Sequence, residues 1–375
     1  MKQSTGIKIA FAVTSDLITD QRVDRIASVL HENGAAITVI GRVLSKNLLL
    51  NPRLYKTRRF HMFFIKGPLF YIFYNLRLFL HLLFKKYDRI ISNDLDTLLA
   101  CFLISRLKKL PLVFDSHELF TELPELQNRK VIKKIWTFLE RMILPHIKHA
   151  YTVCDSLAMI YKERYGTDFL TIRNLPLKKG ERNLPEQFNE LEDKNVIIYQ
   201  GYINKGRGIE KVIRALNFMH DVIFVVIGRG DIENELKMMV KEMNLEEKVI
   251  FTGVIPYIDL HNYTCMGSIG ISLEENLGLN YYYSLPNKIF DYIQAGVPVL
   301  ASDFPETQKI INKYNIGIAT LEDDPQKLAS LLENMIHDKN QRQEWEINLE
   351  KAANELTWEN ESQKLIKFYK EMNFI

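Results

Sequence analysis

Short apolar runs recur along the chain, and each is followed by a segment with helical periodicity. Residues 7–13, 36–41, 89–92, 112–115 and 151–154 read as strands. Helices are predicted over 21–33, 97–109, 131–149 and 156–165. Short strands without clean alternation belong to a parallel sheet covered on both faces. The βαβα order predicts a doubly wound α/β domain. A polar stretch, 172–195, with Pro176 and Pro185, interrupts the pattern. A second α/β run follows, with strands at 196–201, 222–227, 248–254, 269–273, 297–301 and 316–320. Its helices are predicted at 209–219, 232–243, 258–266, 285–295, 325–337 and 342–356. A last helix, 358–372, lies beyond the expected sheet. Two domains also suit 375 residues, too many for one ordinary core. Ligands in such sheets bind at the carboxyl ends of strands.

Charge changes the picture more than composition does. The net charge of +3 conceals a division: residues 1–182 hold 30 Lys+Arg against 16 Asp+Glu, and the remainder is acidic. No acidic residue occurs from Asn33 to Tyr87, a window holding Arg42, Lys46, Arg53 and seven further cations among many aromatics. Cations beside aromatic and aliphatic groups suit an anionic membrane surface, expected here to meet residues 42–86. Nucleic acid is the competing anion; the acidic C-terminal half argues against it. The apolar run 69–84 is shorter than the roughly 20 residues a bilayer needs, and Arg77 sits within it. With Arg77, His81 and Lys85 four apart, it reads as a mostly buried helix with one wet or membrane-facing edge. No secretory signal is visible, and Cys101, Cys154 and Cys265 form no CxxC pair or metal spacing, so a cytoplasmic protein at the inner face of the membrane is expected.

The candidate chemistry gathers in a few segments. "SLPNKIFDYIQAGVPVLAS", residues 284–302, reads as a helix opened by Ser284 and Pro286, stopped at Gly296 and followed by a buried strand. A helix N-terminus suits a phosphate. Lys288 adds a cation, and Asp291, one turn on, accepts hydrogen bonds from hydroxyls; an ordinary helix–strand unit is the alternative. "YQGYINKGRGIEKVI" puts Gly201, Lys205 and Arg207 in a strand-to-helix loop suited to a diphosphate, without P-loop spacing. Gly228 and Gly230 form a weaker GxG signal. "LVFDSHELFTELPEL" follows a strand end and offers Asp115, His117 and Glu118 for acid–base or hydrogen-bonding work. In the first βα turn, Asp16 and Asp20 contact an acceptor hydroxyl or cap the next helix, with capping the better reading for Asp20.

Together with "DQRVDRIASVLHENGAAITVIG", "NDLDTLLACFLISRLKKL", "VVIGRGDIENELK" and "FTGVIPY", these segments resemble the GT-B-fold glycosyltransferases of family four, the glycosyl-transferase group-one proteins, over essentially the full length. The "NDLDTLLA…DSHELFTE" combination resembles a bacterial subgroup acting on cell-surface polysaccharides. The resemblance implies two Rossmann-like α/β domains facing across a cleft. These are an acceptor-binding domain over 1–180 and a nucleotide-sugar-binding domain over 181–357, with a helix over 358–375 returning to the first. It implies transfer of a sugar from a UDP- or GDP-linked donor to a hydroxyl of a lipid-linked glycan. Anomeric configuration would be retained, and no metal or other cofactor used. It further implies Arg207 and Lys288 on the diphosphate, Asp291 on the ribose, Gly201 at the close backbone approach, and residues from Val254 to Tyr257 beside the base. Lys205, Gly228, Tyr283 and Asn287 complete the donor side. His117 stands near the donor sugar and phosphate, and Asp16, Asp115 and Glu118 on the acceptor side. The family's Glu-x7-Glu pair is broken: Asp291 takes the second position, Tyr283 the first, and Glu274 and Glu275 stand too far upstream to substitute by spacing. Tyr202 replaces the arginine that often follows the first C-domain glycine. The competing readings are a sugar-nucleotide epimerase on the same fold and a degenerate nucleotide-binding or scaffold subunit.

Overall fold

Parallel pairing dominates throughout. The computed structural model describes residues 6–44, 50–127, 129–180, 191 and 194–375. Lys46 of the basic window and residues 181–190 of the expected interdomain stretch lie outside the described residues. The chain divides into two compact units, one holding the residues up to Asn174 with Glu361–Ile375, the other Leu175–Asn360.

In the first unit, strands β1 (Lys8–Ala12), β2 (Ala36–Arg42), β3 (Lys56–Phe60), β4 (Arg89–Asn93), β5 (Leu112–Ser116), β6 (His149–Thr152) and β7 (Leu170–Thr171) form one parallel sheet in the order β3-β2-β1-β4-β5-β6-β7. Every residue of β5 is buried, as expected for a strand covered on both faces. The order reverses between β1 and β4, so the carboxyl ends there flank a crevice-forming switch point. Asp20 caps helix Gln21–Glu32, its carboxylate accepting from Val23 N at 3.1 Å, as its position in the turn predicts. Helix Lys130–Ile143 is shorter than expected: Leu144–His146 continues as a 3₁₀ turn with Pro145 inside it. The final helix, Trp358–Glu371, begins in the second unit and enters the first. There Tyr369 and Tyr151 hydroxyls meet at 3.1 Å, and Arg173 N donates to Glu361 Oε1 at 2.8 Å.

Helix Gly67–Phe84 corrects the expectation of a mostly buried element. Only a narrow stripe, Phe70, Tyr74, Leu78 and Leu82, is buried, and 22% of the segment is covered. The apolar residues outnumber what one packed edge needs, so the remainder stands in solvent.

The second unit holds β8 (Asn195–Gln200), β9 (Val222–Ile227), β10 (Val249–Gly253), β11 (Ile269–Ser272), β12 (Val299–Ser302) and β13 (Gly317–Thr320), all parallel, in the order β10-β9-β8-β11-β12-β13. Its switch point falls between β8 and β11. Two helices absent from the pattern reading, Leu279–Tyr282 and Pro305–Tyr314, fill connections read as loop. The 287–294 helix begins at Asn287, with Pro286 in the cap position. Ser284 is therefore not its cap. Its hydroxyl instead donates to the Tyr281 carbonyl at 2.8 Å, closing the short helix just before it.

Candidate functional site

The second unit gathers its charged groups where β8 and β11 part. Gly201 and Gly228 follow β8 and β9, with φ of +138° and +136°. A Cβ on Gly228 would lie 1.9 Å from the Gly201 carbonyl oxygen, so these two turns touch only because Gly228 carries no side chain. A Cβ on Gly201 would lie 3.6 Å from Lys288 Cε and 3.5 Å from the Tyr199 hydroxyl. Gly201 thus opens directly onto Lys288.

Lys288 donates to Glu274 Oε1 at 2.7 Å, and Arg207 Nη1 lies 3.6 Å from the same oxygen. Ser272 Oγ donates to Glu274 Oε2 at 2.8 Å, fixing the carboxylate. Burial works to raise the Glu274 pKa, but Lys288 and then Arg207 outweigh it and hold the carboxyl below its usual range. Aromatic faces support both cations: Lys288 Nζ sits 4.5 Å from the Tyr199 ring centre and the Arg207 guanidinium 4.8 Å from that of Tyr281. Two cations against one carboxylate leave an excess positive charge. Arg207 Nε is a buried donor without an acceptor among the described residues. The first-turn N–H groups of helix Asn287–Gln294 have no side-chain cap. All three features suit an anion.

Glu274, read from spacing as too far upstream to replace the first Glu of the usual pair, joins the cation cluster instead. Fourteen residues separate it from Lys288 in the chain, yet the two carry an ion pair. In a parallel sheet the strand ends lie side by side whatever their separation in sequence, and Glu274 stands just past the end of β11.

Beside this cluster lies a pocket lined by Lys179, Tyr257, Leu260, His261, Thr264, Asp291 and Gln294. Gln200 orients Asp291, donating to its Oδ2 at 2.9 Å while accepting from Thr264 Oγ1 at 2.7 Å. The Lys179 ammonium lies 4.8 Å from the Tyr257 ring centre. Tyr257 and Asp291, expected beside base and ribose, thus share one pocket. Val254, Lys205 and Asn287 are exposed, with Val254 outside that lining. Tyr283 packs edge-on against Tyr282 at 4.9 Å.

In the first unit, β4 and β5 deliver a second cluster. His117 Nε2 lies 3.1 Å from Asp115 Oδ2, and Nδ1 lies 3.6 Å from Asp94 Oδ2. Asp94 Oδ1 also accepts from His117 N at 2.8 Å. Arg22 pairs with Asp115 at 2.9 Å and donates to the Ile172 carbonyl at 2.8 Å. Burial alone would depress the histidine, yet Asp94 and then Asp115 override it and raise His117 to about 9. The ring is therefore an imidazolium at neutral pH, a fixed cation rather than a free base. Burial also raises Asp94, which His117 partly offsets. Asp115 is held low, with burial opposed by Arg22 and then His117. Asp94 has φ +56° and ψ 169°, a backbone region costly for any residue with a side chain.

The remaining acceptor-side candidates are placed differently. Asp16 accepts from Arg59 Nη1 at 2.8 Å and from Leu44 N at 2.9 Å, tying together the segments after β1 and β2. The Glu118 carbonyl accepts from Ser116 Oγ at 3.1 Å and the Tyr161 hydroxyl at 3.2 Å. Arg22 and Asp94 were not singled out by the sequence. The two aspartates of "NDLD" at a strand end were the one available signal.

Comparison with known proteins joins these observations. Residues 181–352 match the family of glycosyl transferases group 1, and residues 20–174 match glycosyltransferase family 4. An uncharacterized glycosyltransferase of Methanocaldococcus jannaschii, MJ1607, is 23% identical over 183 residues, 48% of this chain and 45% of that protein, so the match spans about half of that relative's length. Sucrose-phosphate synthase (tll1590) from Thermosynechococcus elongatus superposes with a TM-score of 0.83 at 15% identity, over 98% of this chain and 99% of that one. Anabaena Alr3699/HepE, solved in complex with UDP and glucose, gives 0.77 at 16% identity, over 97% and 100%.

Proposed function

Because the chain belongs to the GT-B glycosyltransferases of family four, the glycosyl transferases of group one, we propose that it transfers a sugar from a UDP- or GDP-linked donor to a hydroxyl of a lipid-linked glycan in cell-surface polysaccharide synthesis, with retained configuration. The observation that carries this reading is the convergence of Lys288, Arg207 and an uncapped helix N-terminus beside a pocket holding Asp291 and Tyr257. In that arrangement the cations and first-turn amides receive the diphosphate, Asp291 takes the ribose hydroxyls and Tyr257 flanks the base. As the donor bond breaks, negative charge grows on the leaving diphosphate. Groups already aimed at it stabilise that charge without reorganising. The diphosphate charge is met by side chains and amides, so the proposal invokes no metal or other cofactor. In the first unit His117 is a fixed imidazolium, suited to an anionic or hydroxyl group of substrate rather than to proton abstraction.

The polysaccharide role rests on the "NDLDTLLA…DSHELFTE" resemblance. A position at the inner face of the membrane rests on the basic window and on the exposed helix Gly67–Phe84. Thermal-shift measurements with a panel of nucleotides and nucleotide sugars test the donor site. Stabilisation by a uridine or guanosine diphosphate species is expected, absent in Lys288→Ala and Asp291→Ala. A panel that leaves the melting temperature unmoved, or shifts that persist in both variants, defeats the reading.

A further inference from the structure

Helix Lys130–Ile143 carries an apolar stripe that faces solvent. Val131, Ile135, Phe138 and Met142 recur at helical spacing, and Val131 and Phe138 are 72% and 60% exposed. The opposite face is buried through Trp136, Glu140 and Ile143. The helix is therefore apolar on two sides, and only one is used in folding. Cations border the open side: Lys130, Lys134 and Arg141 are exposed, as is Arg129 just before it. Among the neighbouring carboxylates, Glu140 is buried and bonded to Thr121 and Tyr165, and Glu122 is paired with Lys133 and Arg164; Glu125 is exposed.

This stripe does not stand alone. Helix Lys130–Ile143 packs on helix Leu95–Lys108, which packs on helix Gly67–Phe84. Trp136 meets Tyr71 directly, with ring centres 5.1 Å apart. The middle helix exposes Leu103 and Leu107 beside Arg106. The outer one exposes Ile72, Phe73, Leu76 and Leu80 beside Arg77. Exposed apolar groups on one helix are ordinary, but stripes on three adjacent helices form a patch that a monomeric soluble protein rarely leaves open.

We propose that these three helices form a single lipid-docking platform, in which helix Lys130–Ile143 inserts its Val131, Ile135, Phe138 and Met142 side chains into the interfacial layer of an anionic leaflet. This deepens the membrane part of the proposed function, which assigned only residues 42–86, and it rests on that part. The occupant follows from charge. Each stripe is rimmed by lysine and arginine, so a second copy of the chain would bring like charges together, whereas anionic headgroups neutralise them. Amphipathic helices with cationic rims and large apolar side chains lie in the interface plane rather than crossing it.

The test is co-sedimentation of the full chain with vesicles of phosphatidylcholine alone or mixed with phosphatidylglycerol, alongside light scattering for assembly size. The wild type is expected to bind the mixed vesicles and to release in high salt. Val131→Glu/Phe138→Glu and Ile72→Glu/Leu76→Glu, both at exposed positions, are each expected to lower partition about tenfold. Circular dichroism confirms folding, and Lys130→Glu/Lys134→Glu supplies a second variant that reverses charge without touching apolar groups. Binding by Val131→Glu/Phe138→Glu equal to wild type, with Ile72→Glu/Leu76→Glu impaired, overturns the platform but spares the membrane reading. Wild type that ignores anionic lipid overturns both. A change in assembly size with unaltered vesicle binding shows that the face joins two copies of the chain and overturns the platform. None of these outcomes bears on the nucleotide thermal shifts.

Discussion

Glu274 neutralises one of the two cations it touches, so its removal has opposite effects on the empty and the filled site. Glu274→Gln keeps the shape but leaves Lys288 and Arg207 facing each other, largely buried. Breaking a buried pair on one side costs about 3–5 kcal/mol. Part of that loss returns when a diphosphate supplies the missing negative charge. The variant is therefore expected to melt well below wild type when empty, and to show a larger nucleotide-induced shift. Equal ligand shifts in the two proteins would mean that Glu274 holds the fold and nothing more. His117 gives a second residue-scale prediction. Its folded pKa, about 9, lies above the ordinary 6.5, so its contribution is complete below pH 6.5 and disappears as pH rises through 9. Asp94→Asn removes one of its two carboxylates. The melting-temperature gap between wild type and Asp94→Asn is expected to be wide at pH 6 and to narrow by pH 10. A gap independent of pH would assign Asp94 to its main-chain bond with His117 N alone.

At the scale of elements, the final helix packs on the first unit through buried aromatic side chains, so single substitutions are informative. Tyr369 is fully buried against Tyr151, Phe368 and Phe374. Tyr369→Ala is expected to cost about 3–5 kcal/mol by urea unfolding, and Tyr369→Phe about 1 kcal/mol, since only the hydroxyl contact is lost. Similar small losses for both would mean that the helix is not anchored there. Buried elements were legible in advance. Strands such as β9, VIFVVI, are continuous apolar runs, and the connecting helices keep a clear period. The elements that escaped are those whose sequence does not report burial. Strand β3, KTRRF, sits on the sheet edge with three of five residues exposed and only Phe60 buried, so its sequence carries little apolar signal. Helix Pro305–Tyr314 is mostly polar outside its inner face. The site divides the same way. Gly201, Arg207, Lys288 and Asp291 stand in local motifs, where glycine, cation and helix start can be read together. Glu274, Arg22 and Asp94 act across 14, 93 and 23 residues of sequence, and only strand order reveals such partners.

At the scale of the whole molecule, the charge division assigns the two proposed ligands to different units. Most of the basic N-terminal residues belong to the unit with the three exposed helices, and most of the acidic remainder to the unit with the Lys288–Arg207 cluster. A cationic cluster in a unit of net acidic sequence is a local exception, so an anion bound there is expected to be held by fit rather than by general attraction. An anionic vesicle, by contrast, is expected to respond to the broad field of the first unit, an attraction screened beyond a Debye length of about 8 Å at physiological salt. Hydrogen exchange on the full chain reads both ligands at once. UDP or GDP is expected to slow exchange around residues 201–208, 228–230 and 286–289, with little dependence on salt between 50 and 300 mM, concentrations chosen to span roughly 14 to 6 Å of screening. Mixed phosphatidylcholine–phosphatidylglycerol vesicles are expected to slow it over Gly67–Phe84 and Lys130–Ile143, with protection lost at the higher salt. Nucleotide protection centred on the basic helices, or vesicle protection centred on the Lys288–Arg207 cluster, would show that the division of charge does not divide the work.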